Sequence, residues 1–257
     1  MYCIIECASP KNFGPIGLGG RGDELTTVTY GDLSAVVSSS PIQDFRVTRE
    51  NTMTHQHAIE TVMKEHPVLP IRFSTIAETE EEIVERVLKP RYEEFQELLA
   101  WVGDKKELGL KVYWQEMKAI LNEIVENDKA IKSFKEAIQA KPSQQAYYDQ
   151  IEIGKMIEEA LNEKRKKEGE FLIKPLKELA EDTKVHTTYL PEHIVSAAFL
   201  VKKTMEPQFD RAVNRIQEDF PGRHRITYVG EAPPVNFVNI MINWDRESKE
   251  AQNVSPR

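Results

Sequence analysis

The chain has 257 residues, with 34 lysines and arginines against 42 aspartates and glutamates, a formal charge of −8 with histidine neutral. Its 40% apolar content is ample for packed cores and argues against wholesale disorder, and the length accommodates one large domain or two of ordinary size. The acidic balance argues against a general binder of nucleic acid or of an anionic lipid membrane, because such proteins need a positive excess to displace counterions from phosphates.

Residues 2–7 read as a strand carrying both cysteines, Cys3 and Cys7. Four positions apart on a strand they share a face but lie about 13 Å apart, too far for a disulfide, so buried thiols in a reducing compartment are expected. No run approaches the roughly 20 apolar residues that cross a bilayer. Met1 is not followed by a basic stretch and an apolar signal core, and a cytoplasmic protein is expected.

Residues 9–23 form a glycine-rich loop, followed by strand runs at 25–30 and 34–39 separated by Gly31-Asp32. Thr48 caps a helix to about Glu65 whose apolar face is Ala58, Ile59, Val62 and Met63. Leu69, Ile71 and Phe73 alternate with Val68, Pro70 and Arg72, giving a strand that Pro70 places at an edge or at a strand start. Thr79 and Glu82 form a capping box for a helix that continues to Val102 with a kink at Pro90. Residues 108–114 alternate cleanly and read as a strand.

From about 115 to 180 the composition is helical, with breaks expected at Lys141-Pro142-Ser143, Gly169 and Pro175. Strands then follow at 185–189 and 194–202, the second apolar on both faces and therefore central. A helix over 206–220 and strands at 225–229 and 235–244 complete an order close to a split βαβ, ferredoxin-like arrangement. The expected organisation is α+β: an N-terminal α+β domain over 1–114, a helical connector over 115–182 packing on the C-terminal domain, a ferredoxin-like domain over 183–245, and a polar tail over 246–257.

Candidate chemistry is sparse. The glycines at 17, 19, 20 and 22 lead into a strand rather than a helix N-terminus, so a phosphate loop is not expected. His55 and His57 lie two apart on a helix and point about 200° away from each other, so they cannot grip one ion. His55 falls on the apolar face as a structural core histidine, and no metal or cofactor is expected. Lys164, Arg165, Lys166 and Lys167 stand before Gly169, where they suit a helix C-terminus or, on a second reading, a docking patch for an acidic partner. No residue pattern names a reaction, and no catalytic residue is assigned.

The ordered segments carry a resemblance. They are Leu33-Ser34-Ala35-Val36-Val37-Ser38, His55 with Ala58, Ile59, Val62 and Met63, and Val68-Leu69-Pro70-Ile71-Arg72-Phe73-Ser74-Thr75. Glu107-Leu108-Gly109-Leu110-Lys111-Val112-Tyr113-Trp114 and Tyr228-Val229-Gly230-Glu231-Ala232-Pro233-Pro234-Val235-Asn236-Phe237 follow. In this order and spacing they resemble gas vesicle accessory proteins of the GvpL/GvpF family. Ser74 stands where that family usually carries glycine, and Val235 where an aromatic is common.

The resemblance implies two α+β domains, the second a modified ferredoxin-like fold, in a non-enzymatic protein associated with gas vesicles. It implies as partners the small hydrophobic shell subunit and other gas vesicle accessory proteins, with assistance to assembly of the lipid-free wall. Two other readings are a minor structural component of the finished vesicle and an enzyme on a ferredoxin-like scaffold. An acidic, soluble partner could cover the shell subunit's apolar surface through a sheet edge or groove. The partner-binding candidates are Arg72 and Phe73 on one edge strand, Pro233, Pro234 and Phe237 on another, and the run Lys164 to Lys167.

Overall fold

The computed structural model describes residues 1–41, 45–140 and 146–242. The chain divides into two compact units, one of residues 1–107 with 231 onward, the other of residues 108–230.

In the first unit β1 (Cys3–Glu6), β2 (Leu25–Tyr30), β3 (Leu33–Ser38) and β4 (Leu69–Pro70) form a sheet in the order β2-β3-β1-β4. Every pairing is antiparallel, and Ile4 lies opposite both Ala35 and Leu69. Gly31 makes the β2–β3 turn at φ +59°, where a Cβ would also meet the Tyr92 hydroxyl at 2.8 Å.

The period of two sorts the side chains into two cores. Ile4, Val28, Leu33, Ala35 and Leu69 pack with Phe95, Leu99 and Val102 of helix α3 (Tyr92–Val102). Cys3, Ile5, Leu25 and Val36 pack with Ala58, Ile59 and Val62 of α1 (Arg49–Met63). Thr48 caps α1 by accepting from the Asn51 N–H at 3.2 Å. Thr79 caps α2 (Glu80–Ile83) by accepting from the Glu82 N–H at 3.1 Å, while the Glu82 carboxylate takes the Glu78 N–H at 2.9 Å. A π turn over Val84–Leu88 follows, and Pro90 lies in the break before α3.

Two expectations here are corrected. The strand expected through Phe73 stops at Pro70, with Ile71 making one parallel bridge to Ile240. Ser74 at φ +64° turns the backbone out of an extended path. The strand expected over 235–244 is, as far as residue 242, a turn with one bridge, because Phe237 and Val238 both donate to the Pro234 carbonyl. Residues 243 and 244, the tail from 246 and the break at Lys141-Pro142-Ser143 lie outside the described residues.

In the second unit the elements are β5 (Lys105–Trp114), α4 (Met117–Asn127), α5 (Lys129–Gln139), α6 (Tyr147–Lys177), β6 (Asp182–His186), β7 (His193–Lys202), α7 (Glu206–Asp219) and β8 (His224–Ala232). The sheet order β6-β7-β5-β8 leaves each crossover split by a third strand, which is the ferredoxin-like arrangement. β7 is central and buried along eight of its ten residues, as apolar residues on both its faces require. β5, expected in the first domain, is the other central strand of this sheet. The expected boundary at 114 therefore falls instead at 107/108, and residues from 231 on return to the first unit.

The first sheet has the same relative strand order. There, the crossover from β1 to β2 is made by the glycine-rich loop instead of helices.

Gly169 and Pro175 do not break α6. A Cβ at Gly169 would lie 3.4 Å from the Val195 Cβ and 3.5 Å from the Ile194 carbonyl, so the bare backbone lets helix and strand pack closely. Pro175 sits in the last turn, where few helical bonds remain to be lost. As a result Lys164 to Lys167 lie well inside a helix, too far from its C-terminus for the macrodipole to account for them.

Candidate functional site

The second unit holds a cleft of about 870 Å³ between the α4–α5 corner, α6 and the start of β8. Its centre is the Glu168 carboxylate on α6. Oε1 accepts from Trp114 Nε1 at 3.1 Å, from Arg223 Nε at 3.0 Å and from His224 Nε2 at 2.7 Å; Oε2 accepts from Arg223 Nη2 at 3.0 Å. Arg223 Nη1 reaches Glu123 on α4 at 3.2 Å, and Lys164 donates to the same carboxylate at 2.7 Å. Four helix and strand segments are thereby tied through two carboxylates.

Burial alone would raise the Glu168 pKa, but the hydrogen bonds from His224, Arg223 and Trp114 outweigh it and hold the carboxyl at about 2. A carboxylate so deeply ionised and already accepting four hydrogen bonds is a poor proton acceptor near neutrality. His224 is buried and gives its Nε2–H to Glu168, which leaves Nδ1 without a partner. The cleft is floored by Leu172 and Ile124, both buried. It is edged by Phe171, which is 64% exposed and meets the Phe220 ring edge-on at 6.1 Å.

Of the residues singled out in the sequence, only Lys164 joins this network. Arg165 donates to Asn162 at 2.6 Å and to the Pro191 carbonyl at 3.0 Å, Lys167 pairs with Glu163 at 2.6 Å, and Lys166 is exposed. In the first unit Arg72 is exposed, while Phe73 is half-buried and edge-on to the His55 ring at 5.5 Å. Pro233 and Pro234 are buried and Phe237 is half-buried in the turn they begin, so these three do not form an edge strand. His55 is buried, stacks on Tyr2 at 5.1 Å and uses Nε2 on the Ile71 carbonyl at 3.1 Å. Cys3 is buried and burial pushes its thiol pKa up; Cys7 is partly exposed and donates to the Ser9 carbonyl.

Sequence reasoning missed Glu168, Arg223, His224 and Glu123. The one local signal was Lys164 and Glu168 at i and i+4; the other partners are 41 to 100 residues apart. Among the described residues no three His, Cys, Asp or Glu side chains converge as metal ligands would, and no helix is long and apolar enough to cross a membrane.

Residues 1–239 match the family model described as gas vesicle synthesis protein GvpL/GvpF. The chain belongs to the GvpL/GvpF family. It is 26% identical over 200 residues to gas vesicle protein F of Dolichospermum flosaquae, covering 77% of this chain and 80% of that one. Against gas vesicle protein F of Streptomyces sp. (strain CB03234) it is 26% identical over 245 residues, 93% of this chain and 98% of that one. The crystal structure of GvpF from Anabaena sp. PCC7120 superposes with a TM-score of 0.81 at 22% identity, covering 93% of this chain and 97% of that one. GvpF from Microcystis aeruginosa gives 0.75 at 22% identity, covering 93% and 98%. These structural likenesses establish the α+β fold. Ser74 sits at φ +64°, a backbone conformation that glycine adopts without a Cβ penalty.

Proposed function

We propose that this chain is a non-enzymatic accessory protein that binds the gas vesicle shell subunit and assists assembly of the vesicle wall, working in the cytoplasm in association with gas vesicles. Family membership supports the gas vesicle role. The observation that favours binding over catalysis is the state of Glu168: the most deeply placed carboxylate of the second unit's cleft is fully engaged by Trp114, Arg223 and His224. The network holds a surface in shape, and the imidazole nitrogen it leaves without a partner, His224 Nδ1, is buried and not presented to a substrate.

A shell subunit that is apolar on its gas-facing side exposes aggregating surface before it polymerises, and a partner with net charge −8 keeps a complex soluble while that surface is covered. The test is co-expression of the shell subunit with and without this chain, followed by capture on the tagged chain. Soluble, co-purifying shell subunit that stays bound at about 0.5 M salt, where exposed ion pairs are screened, is the expected result. Shell subunit equally soluble in both cultures and absent from the captured fraction overturns the reading.

A further inference from the structure

We infer that the shell subunit docks in the second unit's cleft, with an uncharged apolar segment seated against Phe171 and Phe220. This rests on the proposed function and adds to it the place of contact.

Phe171 departs from the pattern of its own helix. Leu172 and Ile173, its neighbours, are 2% exposed, whereas Phe171 stands 64% exposed at the cleft edge. Among the described residues its aromatic contact is the Phe220 ring, itself partly buried against the second unit's core. An apolar ridge thus runs from the core out to the cleft mouth.

The charges of the cleft decide what can cover that ridge. The lining carries Glu123, Asp128, Glu163 and Glu168, and it carries Lys129, Lys164, Lys167 and Arg223, four of each sign. Nearly all are committed within the wall: Lys164 and Arg223 to Glu123, Arg223 to Glu168, Lys167 to Glu163, and Asp128 to capping α5 through the Ala130 and Ile131 N–H groups. An anion would have to displace Glu168 from Arg223, and a cation would have to break the same pair from the other side. What remains for recognition is apolar area with a neutral rim, which complements an uncharged apolar segment of the kind a gas-facing wall protein must have.

The cleft volume of about 870 Å³ falls in the range of pockets that enclose a ligand of several side chains. The Glu168 network accounts for its persistence. By clamping α4, α6 and the start of β8 together, it stops the cleft from collapsing onto its own apolar lining.

The experiment uses the full chain and detergent-solubilised shell subunit, with binding read as the detergent is diluted. Phe171→Glu is expected to weaken binding about tenfold or more, Phe171→Leu to retain it, and Tyr189→Glu, at an aromatic residue 89% exposed elsewhere in the same unit, to leave it unchanged. Because Phe171 is largely exposed, all three variants are expected to melt with the parent. Unchanged binding by a folded Phe171→Glu chain overturns the docking site while leaving the proposed function standing. No binding by the parent chain overturns the proposed function itself. Loss of self-association by Phe171→Glu, with shell binding intact, assigns the cleft to a second copy of this chain and also overturns the inference.

Discussion

The carboxylate of Glu107 holds Asn236 twice, accepting its backbone N–H at 3.0 Å and its side-chain amide at 2.5 Å. Glu107 is 4% exposed, and burial raises its pKa against the opposing pull of these two bonds. The pair fixes the turn that Pro234 begins and so delivers Val238 and Ile240 to the core shared with Leu69 and Phe95.

Removing the carboxylate leaves two donors of Asn236 without their partner. Glu107→Ala is expected to lower stability by about 1–3 kcal/mol, with Glu107→Gln losing less because its amide oxygen still accepts. Chemical denaturation of the three proteins checks this.

Ser74 carries a side chain in a left-handed conformation at φ +64°. Glycine meets no Cβ penalty there, so Ser74→Gly is expected to gain about 1 kcal/mol despite the greater freedom of its unfolded chain. A rise in melting temperature with unchanged binding is the outcome to look for.

His55 makes stability depend on pH. With Nε2–H given to the Ile71 carbonyl, a second proton would sit on Nδ1, which is buried and lacks a partner. Burial lowers its pKa from 6.5 to about 4. Above pH 6.5 neither state is protonated and nothing is lost. Between about 6.5 and 4 the unfolded chain takes up a proton that the folded one refuses, so stability falls by about 1.4 kcal/mol per pH unit, roughly 3 kcal/mol in all. Replacing the imidazole, as in His55→Leu, should flatten that slope while lowering stability at pH 7. His57→Ala, on the exposed side of α1, should change stability by less than about 0.5 kcal/mol.

Glu168 has the same sign in a lower pH window. Its folded pKa of about 2 lies below the ordinary 4.5, so its contribution is complete above pH 4.5 and is lost as pH falls toward 2. Glu168→Gln is expected to cost about 3 kcal/mol at pH 7, because Arg223 keeps only the Glu123 carboxylate as an ionised partner and Trp114 and His224 lose a charged acceptor. Denaturation curves of parent and variant should converge as pH drops below 4.

Much of this fold was legible because single residues set local geometry. Thr48 and Thr79 cap where their side chains require, and the alternation of Leu108, Leu110, Val112 and Trp114 makes β5. Signals failed where tertiary packing overrode them. Gly169 reads as a breaker, yet the close approach of β7 uses its bare backbone inside a 31-residue helix. Residues 235–244 read as a strand, yet as far as residue 242 the bonds to Pro234 and Glu107 bend its start into a turn. The Glu168 cluster was invisible because its members meet only after β5, α6 and β8 have come together.

The split of the first unit around the second sets an order of events during synthesis. Residues 1–107 leave the ribosome first, but Val238 and Ile240, which close their core, follow only after the whole of 108–230 has been made. The second unit can therefore complete its sheet while the first still waits for Val238 and Ile240, with Ile71 lacking its bridge partner Ile240. At elongation rates of about 5–20 residues per second, that interval lasts on the order of ten seconds. For a protein proposed to shield another chain's apolar surface, the newly made chain itself passes through a stage in which its own needs shielding.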